Sequence, residues 1–117
     1  ALPILMTLDE LLRSRSQPQT GVAMAMADVH QQLTVLPQWS LLGDAIERRF
    51  SFTHYFETLA FVNALAYIVH HEDHHPVLTV EYNRCTVRFN THSVRGLSIN
   101  DFICAAKIDA LHEQRFG

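Results

Sequence analysis

The run Leu59-Ala60-Phe61-Val62-Asn63-Ala64-Leu65-Ala66-Tyr67-Ile68-Val69, followed at once by His70-His71-Glu72-Asp73-His74-His75-Pro76, decides the fold. With Asn63 as its one clearly polar member, the first part reads as a helix that is apolar on almost every side. Thr53 reads as the N-cap of this helix, and Glu57 in the first turn complements its dipole. The helix must stop by His75, because a residue before proline is driven out of helical conformation. A helix of this kind has to be covered on more than one side. A chain of 117 residues offers a sheet for one face and little for the other. The sequence therefore predicts that this helix also meets a partner subunit.

Working outward, a pair of strands is expected on each side. Upstream, Trp39-Ser40-Leu41-Leu42 and Ile46 to Phe52 read as strands joined at Gly43-Asp44. Ile46, Phe50 and Phe52 share one parity and Glu47, Arg49 and Ser51 the other, as a half-buried strand requires. Arg48 breaks the apolar parity and predicts a strand lying toward an edge. Downstream, Leu78, Val80 and Tyr82 alternate with Val77, Thr79 and Glu81, and Cys85, Val87 and Phe89 alternate with Thr86, Arg88 and Asn90. Asn83-Arg84 is the expected turn between them, since asparagine tolerates the left-handed conformation of tight hairpins. A first helix is expected over about Met24 to Val35, ending before Pro37. A last helix is capped by Ser98, with Ile99, Phe102, Ile103, Ala106 and Ala110 at helical spacing. The order helix-strand-strand-helix-strand-strand-helix predicts an α+β fold, a four-stranded antiparallel sheet with helices packed on one face.

Ahead of this unit, Thr7-Leu8-Asp9-Glu10 reads as a capping box for a short helix over 7–13, and the Ser-, Gln- and Pro-rich stretch Ser14 to Gly21 as a linker. Residues 1–21 are accordingly an N-terminal extension and linker, and residues 22–117 the compact domain. Ala1-Leu2-Pro3-Ile4-Leu5 lacks a basic flank and is too short for a signal segment. No stretch approaches the roughly 20 apolar residues of a membrane span. The formal net charge is −3 with no Lys/Arg run, which leaves no electrostatic footprint for nucleic acid. Cys85 and Cys104 are too few for a disulfide framework and sit in apolar-patterned segments, as reduced thiols of a cytoplasmic protein would.

Four of the eight histidines fall within positions 70–75. His70 and His74 share a face if the helix reaches that far. His92, at the end of the second hairpin and on the parity opposite to Cys85, Val87 and Phe89, returns toward the same end of the sheet. Such a cluster fits a polar helix end, a zinc site built on i, i+4 histidines, or acid–base catalysis near neutral pH. Glu72 and Asp73 are placed to favour protonated imidazoles beside them. Asp101, three residues after Ser98, reads also as an acidic variant of the capping box. His30, His54 and His112 read as surface residues, and Arg88 and Arg95 as solvated charge.

The spacing His74-His75-Pro76, then His92, then Asp101 resembles the signature of the pterin-4a-carbinolamine dehydratases, bacterial type. Trp39, Phe50-Ser51-Phe52, Phe61-Val62-Asn63-Ala64 and Thr91-His92-Ser93-Val94-Arg95-Gly96-Leu97-Ser98 agree with it over about residues 24–112. The resemblance implies dehydration of a 4a-hydroxytetrahydropterin to quinonoid dihydropterin and water, in recycling of a tetrahydropterin cofactor, with no metal or redox cofactor of its own. It implies His74, His75 and His92 as catalytic residues and substrate contacts from Asp73, His74, His75, Asn90, Thr91, His92 and Ser93. Asp101 takes the family's acidic position. It further implies a homodimer or homotetramer. Two positions depart from the family pattern: His70 stands where many relatives have glutamate, and Leu78 where many have tryptophan. Two other functions compete for the same residues, a non-catalytic binding or assembly protein of this fold and a histidine-rich zinc site.

Overall fold

The computed structural model of the protein describes residues 5–117, so the reading of Ala1 to Ile4 lies outside the described residues. Helix α1 spans Leu8–Arg13, α2 Met26–Leu33, α3 Tyr55–Glu72 and α4 Ile99–Arg115. Strands β1 (Ser40–Leu42), β2 (Ala45–Ser51), β3 (Val77–Glu81) and β4 (Arg84–Phe89) form one antiparallel sheet in the order β1-β2-β4-β3. The fold is α+β, and from α2 onward its elements follow the order the sequence predicts.

Register explains the core. Ile46 pairs with Phe89 and Phe50 with Cys85 across β2 and β4, so one parity of both central strands faces the helices. Phe50, Phe61, Phe89, Leu65 and Phe102 are all fully or almost fully buried there. Burial of each such side chain stabilises the fold by about 1.5–3 kcal/mol. Trp39 covers the same layer, its ring 6.2 Å from Phe50 and 6.0 Å from Phe89. The opposite parity carries the Glu47–Arg88 pair and faces away from the helices.

Strand β2 is central, not toward an edge. Arg48 pairs with Val87 on the helix side of the sheet and is tolerated there because α4 supplies a counter-charge. Its Nη1 donates to Asp109 Oδ1 at 2.7 Å, and its guanidinium lies 4.2 Å from the centre of the Phe50 ring. Trp39 Nε1 donates to the same oxygen at 2.9 Å. Burial of Asp109 raises its carboxyl above the ordinary value, against the Trp39 and Arg48 contacts that favour its ionised form. His112, expected on the surface, packs 4.9 Å from the Phe50 ring and 5.8 Å from Phe61.

Local boundaries shift by a residue. The N-cap of α3 is His54, whose Nδ1 accepts from the Glu57 N–H at 3.3 Å, while Thr53 donates its own N–H to the Glu57 carboxylate. The β3–β4 turn is Tyr82-Asn83, closing on the Glu81–Arg84 pair, and neither turn residue has a positive φ. Ahead of α2, α1 has the capping box read from Thr7 and Glu10 and buries Leu11 completely in the common core. Residues 14–19 then cross to the start of α4 and the end of α3.

Candidate active site

The end of α3 supplies the first wall. Asp73 caps the helix in the left-handed conformation (φ 51°, ψ 45°), which an aspartate tolerates better than most residues. The His74 N–H returns to the Val69 carbonyl at 3.2 Å. This turn takes His74 off the helix, so His70 and His74 do not share a helical face. His70 and His75 are exposed, and neither lines the cleft beside His74.

His74 is held on two sides. Its ring stacks on Phe89 with centroids 5.6 Å apart and planes at 6°. Its Nε2 lies 2.6 Å from Asp101 Oδ1. A carboxylate accepts, so Nε2 carries the hydrogen and a neutral His74 offers its Nδ1 lone pair for chemistry.

Asp101 is fully buried and belongs to the capping box of α4, so its structural and site roles coincide. Its Oδ2 accepts from the Ser98 N–H at 2.9 Å and from Thr91 Oγ1 at 2.8 Å. Thr91 has one hydroxyl hydrogen, so the 2.6 Å contact with Ser98 Oγ makes Ser98 the donor. Oδ2 is therefore fixed by the helix start and Thr91, which leaves Oδ1 to hold the imidazole.

The loop after β4 supplies the second wall. Thr91 and Gly96 bridge to each other, closing a tight turn over His92–Val94 that presents His92 to solvent on the cleft. A side chain at Gly96 would meet the Ala23 Cβ at 2.7 Å, so this turn requires glycine for close approach rather than for its φ. Arg95 holds the turn in the left-handed region at φ 55°. Asn90 is exposed and outside the cleft.

The resulting cleft has a volume of about 420 Å³. Of the residues singled out in the sequence, it brings together Asp73, His74, Thr91, His92 and Ser93, with Asp101 behind His74 and Thr91. It also takes in residues that sequence reasoning missed: Ser16 to Gln19, His71, Glu72 as a cleft wall, and Asn100. Polar composition marked 14–21 as a linker, and nothing local distinguishes an extended segment that docks from one that does not.

Glu72 does not turn toward the imidazoles. It is buried, with Oε2 2.6 Å from Lys107 Nζ and Oε1 accepting from the Ser16 N–H at 2.7 Å. Burial alone would raise its carboxyl. Lys107, Ser16 and Arg15 outweigh that and hold it below the ordinary carboxylate range. Burial pushes the thiols of Cys85 and Cys104 up to about 11 and about 12, so both are inert at neutral pH. Among the described residues, no three His, Cys, Asp or Glu side chains converge in the manner of a metal site. No described helix is long and apolar enough to cross a membrane.

Comparison with known proteins shows the family. Residues 23–111 match the family described as pterin 4 alpha carbinolamine dehydratase. A Bdellovibrio bacteriovorus protein provisionally named as such a dehydratase is 54% identical, the alignment covering 97% of each chain. A Nitrosospira multiformis protein of the same provisional name is 47% identical over 92% of this chain and 96% of its own. Among solved structures, a transcriptional coactivator/pterin dehydratase from Brucella melitensis superposes with TM-score 0.73 at 28% identity, covering 76% of this chain and 97% of its own. A pterin dehydratase-like RuBisCO assembly factor of the alpha-carboxysome shares the fold at TM-score 0.52 and 23% identity, over 62% of this chain and 84% of its own. The chain belongs to the pterin 4 alpha carbinolamine dehydratase family.

Proposed function

We propose that the protein dehydrates a 4a-hydroxytetrahydropterin to the quinonoid dihydropterin. In this reaction the C4a–O bond breaks, the hydroxyl takes a proton and leaves as water, and N5 loses a proton as the C4a–N5 double bond forms. The pterin nitrogen expels the leaving group itself, so the protein has to place two proton-transfer groups and a binding wall. One observation carries the reading: His74 and His92 line a single cleft, and the buried Asp101 carboxylate orients His74. The two imidazoles exchange protons with the 4a-hydroxyl and N5, and positioned groups of this kind contribute about 10²–10⁴-fold. Asp73, Thr91 and Ser93 complete the walls. His75, next in chain to His74, and Asn90, next to Thr91, are assigned substrate contacts at the rim.

His74→Ala and His92→Ala test the assignment in a stopped-flow dehydration assay. Each is expected to lose about 10²-fold or more of the acceleration while melting as a folded protein. Two variants as fast as the wild type would remove the site assignment.

We also infer a homo-oligomer, dimer or tetramer. The stripe Phe56, Ala60, Asn63, Tyr67 and His70 on α3 faces away from the core, with Phe56 83% and Tyr67 72% exposed. A second copy is the partner that would cover it.

A further inference from the structure

The segment from Ser14 to Gln19 lies outside the part of the chain that matches the family, yet its residues from Ser16 to Gln19 form one wall of the cleft. It is fastened along its length through its own backbone. Lys107 Nζ donates to the Ser14 carbonyl at 2.6 Å, and the Ser16 N–H donates to Glu72 at 2.7 Å. Asn100 reads the Gln17 peptide from both sides, accepting from its N–H at 3.1 Å and donating to its carbonyl at 2.7 Å. Ser93 Oγ donates to the Gln19 carbonyl at 2.8 Å. Five hydrogen bonds over six residues make this a docked strap.

The last of these bonds fixes its place relative to the chemistry. Ser93 follows His92 directly, so the strap runs beside the imidazole that faces the reacting atoms. In a 4a-hydroxytetrahydropterin, C6 is bonded to N5, one of those atoms. Any substituent on C6 therefore projects from the reacting edge of the ring. The strap's remaining hydrogen-bonding capacity is polar: Gln17 lines the cleft and its carboxamide is engaged by no other side chain among the described residues, and Gln19 keeps its Oε1 while its Nε2 holds the Gln17 carbonyl.

Resting on the dehydratase reading, we infer that the strap is the specificity wall of the site. Gln17 and Gln19 hydrogen-bond hydroxyls on the pterin's C6 substituent, and Asn100 is the positioning residue that holds them there. A wall built on carboxamides favours a hydroxylated C6 chain over a methyl group, because the methyl leaves those groups to water or unpaired. The Glu72–Lys107 pair fixes the other end of the strap.

The test compares 4a-hydroxytetrahydropterins bearing a 6-(1,2-dihydroxypropyl) or a 6-methyl group. Wild type is expected to favour the dihydroxypropyl substrate in kcat/KM. Gln17→Ala, which leaves every backbone bond of the strap in place, is expected to lower that preference by about 3- to 10-fold, mainly through KM. Asn100→Ala is expected to lower it as far, and Asn100→Asp, which still accepts from the Gln17 N–H, to restore part of it. Thermal melts establish that the variants are folded. A preference equal to wild type in Gln17→Ala and in a folded Asn100→Ala, with turnover intact, overturns the strap's role and leaves the dehydratase reading standing. A wild type without preference does the same. A wild type that accelerates neither substrate overturns both.

Discussion

Asp101 sits where three demands meet. It caps α4, accepts from Thr91 and aligns His74, all without exposure to water. Replacing it by asparagine puts a donor where an acceptor is needed. Asp101→Asn is expected to destabilise the fold by about 1–3 kcal/mol in urea titrations. Turnover should fall by about 10²-fold, the size of loss when a reacting group is held an ångström out of place. Its capping role was legible in the spacing from Ser98, because a capping box is a local device. Its contact with His74 spans 27 residues and depends on how α3 ends. Arg48 and His112 were misread for a related reason: a polar residue in an apolar pattern suggests a strand edge or a helix surface, whereas here Asp109 and the phenylalanine rings supply the missing partners. His112 gives a pH prediction. Burial, then Arg48, lowers its pKa below the ordinary 6.5, against the pull of Asp109, Glu113 and Glu57. Its contribution to stability is thus fully present above 6.5 and is lost as pH falls through the lowered folded value. Between pH 7 and 5 the melting temperature of His112→Phe is expected to fall less than that of the wild type. Parallel curves would assign the acid sensitivity to other groups.

At the scale of elements, strands and helices were readable because each carries its own period and caps. The α3 helix was legible from its apolar run, and its stop from Pro76. What escaped was the turn at Tyr82-Asn83, where the hairpin closes without the left-handed asparagine the sequence suggested. The docked strap escaped too, since its order comes from Asn100, Glu72 and Lys107, more than fifty residues away in the chain for each. Helix α1 shows the same dependence. Its capping box was visible, but only the fold shows that Leu11 is completely buried. Leu11→Ala is expected to lower unfolding stability by about 2–5 kcal/mol, measured by urea denaturation. A change near zero would place α1 outside the cooperative unit.

For the whole molecule, the sequence carried the sheet, its helical cover and the family resemblance, and the fold placed the cleft at the end of α3. The outward stripe of α3 carries two of the large, strongly exposed apolar side chains among the described residues, Phe56 and Tyr67. Phe56→Glu with Tyr67→Glu is expected to shift the mass measured by light scattering toward the monomer, since charges at a buried interface are costly. An unchanged mass would move any interface elsewhere. Catalysis is the deciding property of the protein, and single-turnover stopped flow reads it directly. A 4a-hydroxytetrahydropterin generated in the mixing cell should lose water faster in the presence of the protein, in proportion to its concentration. Decay at the uncatalysed rate, with folded protein in excess over the pterin, would contradict it.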